Sequence, residues 1–138
     1  MTERTAQELV KTLYEAMNAR DLDALDDLFA PDFLDHQDGQ HGVEALKAQL
    51  RSFLGAFSDL HVDVEEVLSA GDRFACRTTV SGTHDGELMG LAPSGTAISV
   101  SAIDIVRMHH GRAVERWGGL DMFSLLVQLG VIPQPQSA

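Results

Sequence analysis

The amino-acid sequence predicts an α+β fold in which helices near the amino terminus pack on one face of an antiparallel sheet. Two features of the pattern lead to this prediction. Apolar residues recur at helical spacing up to about residue 57, and from residue 60 onward they alternate with polar residues. Helices followed by a run of long strands are typical of the α+β class.

The helices are marked by spacing and by capping residues. The first helix begins at a capping box of Thr5 and Glu8, and its apolar residues recur every three or four positions over 6–17. A second, short helix covers 20–29, and an extended piece follows it. A third helix is predicted from about Val43 to Ala56.

Four strands are predicted, over residues 60–69, 73–84, 96–108 and 112–117. Tight turns at 70–72 and 109–111 close two hairpins, and a longer Gly/Pro-rich link joins the middle strands. A last helix over 122–129 ends at Gly130, a residue favoured just beyond a helix. We expect a single domain over 1–132 and a frayed tail over 133–138.

Composition limits the classes of function. The formal charge is −11, with 21 acidic against 10 basic residues, which argues against nucleic-acid and membrane partners. No apolar run approaches the roughly 20 residues of a membrane span. The single cysteine, Cys76, cannot form an internal disulfide, so a reducing cytoplasmic location is expected.

The strand over 96–108 carries apolar residues on both alternating faces, with Ile103 and Ile105 opposite the other apolar residues. A sheet of this kind must be covered on both sides. The helices can cover one face, and a second copy of the chain is the simplest cover for the other. The pattern therefore predicts a homodimer.

Several polar residues interrupt the strands: Arg77, Asp104, and Glu115, which shares a predicted strand face with Trp117 and Asp121. Charges inside a sheet are costly unless they are paired or solvated. A polar cavity inside a curved sheet would explain these residues together. An ion pair between Arg77 and Asp104 on a solvated or dimer-facing surface is the alternative.

Six segments, in order along nearly the whole chain, resemble the SnoaL-like polyketide cyclases and ester cyclases of the nuclear-transport-factor-2-like superfamily. They are Phe33-Leu34-Asp35-His36, AFSDLHV (56–62), GDRFACR (71–77), GTHDGELMGLAPSGTAI (82–98), HGRAVERWGGLD (110–121) and QLG (128–130). The chain departs from the resemblance at Arg116, where many relatives have histidine, and at Ser58 and Ser94.

The resemblance implies a cone-shaped barrel with a deep apolar pocket and no metal or organic cofactor. It also implies that the aspartate matching Asp121 is the general acid/base of an intramolecular aldol closure. The related limonene epoxide hydrolases pair an arginine with aspartates in the same cavity, and Arg77 is the candidate for that arginine. The fold hosts several reactions, so it does not by itself identify this one.

An aldol closure needs a base, a proton donor and stabilisation of the enolate. Asp121 beside Trp117 fits the base, because an apolar pocket raises a carboxyl pKa; the alternative is that Asp121 only caps the last helix. His36, which Asp35 could orient, and His84 are the candidate donors, although loop histidines are often simply solvated. The candidate substrate contacts are Trp117, Asp104, Glu115, Phe53 and Met89.

The sequence does not offer the residues that Schiff-base, metal or thiol chemistry would need. The two lysines, Lys11 and Lys47, lie beside helical stripes, which offers no pocket lysine for a Schiff base. The segment HQDGQH (36–41) lacks the spacing and third ligand of a metal site, so no metal is expected. Cys76 shares a face with Phe74 and is interpreted as an inert buried thiol.

The sequence thus predicts a cofactor-independent acid/base enzyme for a small, largely apolar carbonyl compound, with polyketide-type aldol cyclisation as the leading reaction. An epoxide-hydrolase or hydroxylase-like activity in the same pocket is the first alternative. A non-catalytic binding protein for small hydrophobic ligands is the second. These alternatives share the fold and differ in whether a pocket carboxylate performs chemistry.

Overall fold

The computed structural model describes residues 3–37 and 39–134, and it has the predicted α+β class. The elements are α1 (Ala6–Asn18), a 3₁₀ turn (Leu22–Ala24), α2 (Leu25–Leu28), β1 (Phe29–Asp35), β2 (Gln40–His41), α3 (Val43–Ala56), β3 (His61–Ala70), β4 (Arg73–Thr83), β5 (Ala97–His109), β6 (Arg112–Leu120) and α4 (Met122–Gln128). Residues 135–138 of the predicted tail lie outside the described part. Among the described residues, no helix has the length and apolar character needed to span a membrane.

The strands form one curved, open sheet in the order β2-β1-β6-β5-β4-β3. Strands β3 to β6 form the predicted antiparallel meander. Strand β1 pairs with β6 in parallel, and β2 pairs with β1 in the antiparallel sense. The sheet ends at β2 and β3, so the expected cone is an open sheet closed off by helices and not a closed barrel.

Most predicted elements are confirmed, including the Thr5–Glu8 capping box and a third helix of the predicted bounds. The region 20–29 differs, because a 3₁₀ turn precedes a helix of four residues and Phe29 already begins a strand. The extended piece after it is strand β1. Its pairing partner, β6, lies about 80 residues further along the chain, so no local pattern indicated this pairing.

The core lies between the helices and one face of the sheet. Most of the largest fully buried side chains are apolar, and they come from both layers and from α4: Leu9, Val10, Leu25, Leu28, Phe33, Phe57 and Leu125. His84 and Thr78 are the polar members of that set. On β5 the predicted alternation is confirmed, since Val100, Ala102 and Val106 are buried while Ile103 and Ile105 remain 56% and 44% exposed. The helix-covered face of the sheet therefore carries the core, and the opposite face is open.

Candidate functional site: a cavity with a buried arginine

The helices and the covered face of the sheet enclose a cavity of about 1210 Å³. Side chains of α1 and α3 form one wall, strands β4 to β6 form the other, and the segment after β4 reaches the rim. The apolar lining includes Leu9, Val10, Leu13, Met17, Leu46, Leu50, Phe53, Phe74, Val80 and Val106. Typical ligand pockets measure roughly 300–1,000 Å³, so this cavity can hold a molecule of several rings.

Polar groups enter the cavity because alternate strand residues face it. On β4 the alternation places Cys76 and Thr78 in the lining, and on β5 it places Asp104 there, directly opposite Cys76. Asp104 is only 6% exposed. A carboxylate this buried requires a charged or hydrogen-bonding partner.

The partner comes from a β-bulge in β6. Pairing with β5 skips Val114, which lies between the paired residues Ala113 and Glu115. The extra residue shifts the alternation by one position. Arg116 therefore points into the cavity, while Glu115 and Trp117 lie on the opposite face of the sheet.

Arg116 joins three polar side chains. Its Nε donates to Asp104 Oδ1 at 2.8 Å, and Nη1 donates to Asp35 Oδ2 at 2.6 Å. Its Nη2 donates to the side-chain oxygen of Gln37 at 3.2 Å. We call Asp35, Gln37, Asp104 and Arg116 the Arg116 cluster.

The cluster holds two carboxylates against one guanidinium, so its formal charge is negative. Burial by itself would lower the pKa of Arg116, but the charges of Asp104 and Asp35 outweigh burial and raise that pKa. Arg116 is therefore a permanent cation.

The turn after β1 positions Gln37 over the sheet. The backbone N–H of Gln37 donates to Asp35 Oδ1 at 3.1 Å, which ties the turn to the cluster. The Gln37 side chain then lies across Gly119, where a Cβ atom would approach its Oε1 to 2.3 Å. The absence of a side chain at Gly119 therefore lets Gln37 reach Arg116.

Tyr14 extends the polar lining from the helical side. It belongs to the inner stripe of α1, lines the cavity and lies near Cys76 and Asp104. Burial, followed by the proximity of Cys76 and of the Asp104 charge, raises the pKa of Tyr14 well above 10.0. Burial and Asp104 likewise raise the pKa of Cys76 to about 11. Both groups therefore carry their protons at neutral pH.

The sequence profile of the SnoaL-like polyketide cyclases matches residues 7–129, which is most of the chain. The chain belongs to this family. No curated protein matches it in sequence. The family assignment confirms the resemblance that the six segments indicated.

Three solved structures share this fold over most of their length. AclR from Streptomyces galilaeus, named as a candidate hydroxylase, is 31% identical with a TM-score of 0.84, covering 94% of this chain and 83% of its own. IdmH from Streptomyces antibioticus, named as a candidate polyketide cyclase, is 31% identical with a TM-score of 0.79, covering 90% and 97%. TsrD from Streptomyces laurentii is 28% identical with a TM-score of 0.85, covering 91% and 95%.

Asp121 lies on the exposed surface of this SnoaL-like domain. Its carboxylate accepts a hydrogen bond from the Ser124 N–H at 3.0 Å and caps α4, as the alternative interpretation expected. The neighbouring residues Leu120 and Met122 line the cavity, whereas Asp121 is not part of the lining. The bulge in β6 is the reason, because it reverses the alternation on which the inward placement of Asp121 depended.

Arg77 also faces away from the cavity. Its Nε donates to Glu66 at 2.9 Å on the open face of the sheet, and both side chains are about half exposed. Arg77 lies opposite Ile103, whereas Asp104 faces the cavity. The ion pair between Arg77 and Asp104, which was the alternative interpretation, does not form, and the structure has the pairs Arg77–Glu66 and Arg116–Asp104 in its place.

His36, Trp117 and Glu115 come together outside the cavity. The imidazole of His36 stacks on the Trp117 indole at 4.9 Å and lies 2.7 Å from a Glu115 oxygen. Arg73 lies over the same indole, and Arg107 also donates to Glu115 at 2.8 Å. The hydrogen bonds from His36 and Arg107 lower the pKa of Glu115. These residues form a polar stack on the open face of the sheet.

The remaining candidates lie near the rim. Phe53 and Met89 line the cavity, and Met89 is 63% exposed. His84 is 1% exposed and packs beside Phe57, with its Nδ1 2.9 Å from Ser94 Oγ and its Nε2 without a partner among the described residues. His84 is not among the lining residues, so of the nine candidates Asp104, Phe53 and Met89 reach the cavity.

The polar residues of the cavity that were not predicted as site residues include Tyr14, Gln37 and Arg116. Tyr14 gave one signal, since it is a hydroxyl in an otherwise apolar helical stripe. Arg116 was marked only by its departure from the histidine of many relatives. Its inward direction had no signal, because a bulge is a property of strand pairing and is not visible in one strand's sequence. In the described part of the chain no group of three or more His, Cys, Asp or Glu side chains is placed to hold a metal ion, and Asp38 of HQDGQH lies outside that part.

Proposed function

We propose that this SnoaL-like protein is an acid/base enzyme for a small, largely apolar carbonyl compound, and that Asp104 is its base. The observation that carries the proposal is the position of Asp104, an aspartate that lines a mainly apolar cavity and is held by Arg116. A base in such a cavity meets its substrate without competing water. The family and the name of IdmH support a cyclase.

The proposed reaction is an intramolecular aldol closure. Asp104 takes a proton from a methylene next to a carbonyl, and the C–H electron pair forms the enolate. The enolate carbon then bonds to a second carbonyl carbon of the same molecule, whose oxygen becomes an alkoxide. Protonated Asp104 returns its proton to that alkoxide, so the enzyme ends the cycle unchanged and no cofactor is consumed.

A hydrolase or hydroxylase-like reaction is the second candidate. One observation favours it, since Arg116 bridges Asp104, which lines the cavity, and the buried Asp35, which is not part of the lining. One carboxylate could activate water while the other, when protonated, donates to the leaving oxygen. AclR, at 31% identity, bears the name of a candidate hydroxylase. This version uses Arg116 in place of Arg77.

Hydrogen exchange of a simple ketone tests the base directly. Binding of 2-tetralone, an apolar bicyclic ketone, should be followed by exchange of its acidic methylene protons for deuterium, recorded by NMR. We expect Asp104→Asn to slow the catalysed exchange by roughly 10²-fold or more, the scale of losing a positioned base. Asp121→Asn is the control, because Asn caps helices about as well as Asp.

Three results would contradict the proposal. Exchange by Asp104→Asn at the wild-type rate would remove Asp104 as the base. Loss of exchange in Asp121→Asn, with unchanged melting, would return that role to Asp121. Binding of the ketone with no exchange in the wild-type protein would favour the non-catalytic binding protein.

We also propose that the protein is a homodimer through the open face of the sheet. Leu68, Ile103 and Ile105 are 62%, 56% and 44% exposed there. Ile105 pairs with Trp117 and Ile103 pairs with Arg77, so the apolar residues are continuous with the polar residues of that face. Burying them against a second copy would remove large apolar side chains from water.

A further inference from the structure

Gln37 holds its side-chain amide in a fixed orientation at the edge of the cavity. It lies in the turn after β1 and is part of the cavity lining. Its Oε1 accepts a hydrogen bond from Arg116 Nη2 at 3.2 Å. A guanidinium has donors only, so the amide oxygen of Gln37 must face Arg116 and the amide nitrogen must face away from it.

The amide nitrogen of Gln37 is available to a ligand. The hydrogen bonds that Gln37 makes with the described residues use its Oε1 and its backbone N–H, which donates to Asp35. Neither of these bonds uses the two protons on Nε2. Gln37 is an exposed residue, so these protons face water in the free protein, and a ligand oxygen can replace that water.

Arg116 makes the Gln37 amide a stronger donor. A hydrogen bond from a cation draws electron density toward Oε1 and leaves the Nε2 protons more positive, since linked hydrogen bonds polarise one another. The Nε and Nη1 groups of Arg116 themselves donate to Asp104 and Asp35. Gln37 therefore extends the effect of the buried cation to a position that a ligand can reach.

The amide also lies close to the proposed base. Asp104 accepts from Nε and Gln37 accepts from Nη2 of the same planar guanidinium, and both residues line the cavity. When an enolate forms, the proton leaves a carbon next to a carbonyl, and negative charge develops on the carbonyl oxygen. A hydrogen-bond donor beside the base is placed to stabilise that charge.

We propose that Gln37 is a second catalytic residue, whose Nε2 donates a hydrogen bond to the substrate oxygen that becomes the enolate. The inference rests on the proposed function, since it assigns the partner of this oxygen in the step in which Asp104 is the base. When Asp104 takes the carbon proton, the C–H electron pair forms the new C=C bond and the C=O π pair moves onto the oxygen. Gln37 keeps both of its Nε2 protons throughout.

Binding of a stable anion tests this donor without turnover. A phenolate copies the charge and shape of an enolate, so 4-nitrophenolate, whose visible absorbance reports the ionised form, is the probe, and 4-nitroanisole is the matched neutral ligand. The measurement uses the Asp104→Asn protein, because a neutral amide copies the protonated acid that faces the enolate. In that background Gln37→Met, which removes the donor but keeps a side chain of similar length, should weaken phenolate binding about tenfold or more and leave anisole binding unchanged.

Two further variants separate the amide donor from other effects of the substitution. Gln49→Met makes the same chemical change at a glutamine of α3 that also lines the cavity, and it should not alter the ratio of the two affinities. Gly119→Ala keeps Gln37 but places a Cβ 2.3 Å from its Oε1, so it should displace the amide and weaken phenolate binding relative to anisole binding. This variant tests the inference even if Gln37→Met alters the turn.

An unchanged ratio of the two affinities in Gln37→Met would overturn the inference, and so would a parallel loss for both ligands. Tighter phenolate binding would also overturn it, because Gln37→Met frees Nη2 of Arg116, which would then be the partner of the anion. In ketone exchange, Gln37→Met should lower kcat about tenfold or more with little change in KM. Absence of exchange in the wild-type protein would contradict Asp104 as the base, whereas the phenolate measurement judges Gln37 without any turnover.

Discussion

Arg116 and Arg77 show how burial changes the effect of similar ion pairs. The Arg77–Glu66 pair is about half exposed, and pairs of that kind contribute roughly 0–1 kcal/mol. The side chains of Asp35 and Asp104 are 4% and 8% exposed, so water cannot replace Arg116 as their partner. Arg116 therefore affects stability more than Arg77, because its partner carboxylates are buried.

The Cys76 thiol leads to a prediction for how the stability of the fold depends on pH. Its pKa is raised from 9.0 to about 11 by burial and by the Asp104 charge. In the unfolded chain the thiol ionises near its ordinary pKa, while the folded chain still holds the proton. The contribution of Cys76 to the free energy of unfolding is therefore fully present below about pH 9 and is lost as the pH rises toward 11.

Urea unfolding at pH values from about 8 to about 10.5 should show this decrease, with Cys76 contributing roughly 2 kcal/mol at the upper end. The comparison is with Cys76→Ala, which lacks the thiol and should lose less stability over the same interval. The absolute stability of the variant is lower because a buried side chain is shortened, so the quantity compared is the slope with pH. Identical slopes would show that the thiol does not ionise differently in the two states.

At the scale of elements, the end of β6 depends on two consecutive glycines. Gly118 has φ +105°, and a Cβ there would lie 2.3 Å from the Ile103 carbonyl oxygen. Gly119 has φ +140°, and its Cβ would meet the Gln37 side chain. Both positions disfavour side chains by conformation, but only Gly118 has backbone in the way.

We expect Gly118→Ala to lower the free energy of unfolding by more than about 2 kcal/mol, since β5 and β6 must separate to admit the methyl group. Gly119→Ala should cost less, because the flexible side chain of Gln37 can move, although it then leaves Arg116. Urea unfolding of the two variants measures which of them loses more free energy of unfolding. A greater loss for Gly119→Ala would mean that the Gln37 contact, and not the approach of β5 to β6, limits this strand end.

The elements that sequence predicts are those with local signals. The capping box of α1 and the period-two pattern of β5 depend on neighbouring residues, and both are confirmed. Strand β1 was missed as a strand, because its parallel pairing with β6 is a long-range event. The bulge at Val114 was missed for the same reason. Because of it, Arg116 faces the cavity, and the predicted cavity residues Glu115 and Trp117 face the other side of the sheet.

At the scale of the whole molecule, the two faces of the sheet have separate roles. The described residues of one chain supply both walls of the cavity, so the proposed chemistry needs no residue from a second copy. The open face carries exposed apolar side chains in a chain whose formal charge is −11. Charge of one sign opposes association, so any self-association requires a local apolar surface that outweighs it.

Sedimentation equilibrium at micromolar concentration tests whether the open face provides that surface. The wild-type protein should sediment at twice the 15.0 kDa chain mass. Ile103→Lys places a cation opposite Arg77 in the centre of the face, so it should produce monomers without altering the cavity, which lies behind the sheet. Phe123→Lys is the matched control, since Phe123 is 55% exposed on α4 and outside this face.

A monomeric wild-type protein, or a control that dissociates while Ile103→Lys remains dimeric, would move the interface elsewhere or remove it. Dissociation by Ile103→Lys alone, with ketone exchange preserved, would show that assembly and the proposed chemistry use opposite faces of one sheet.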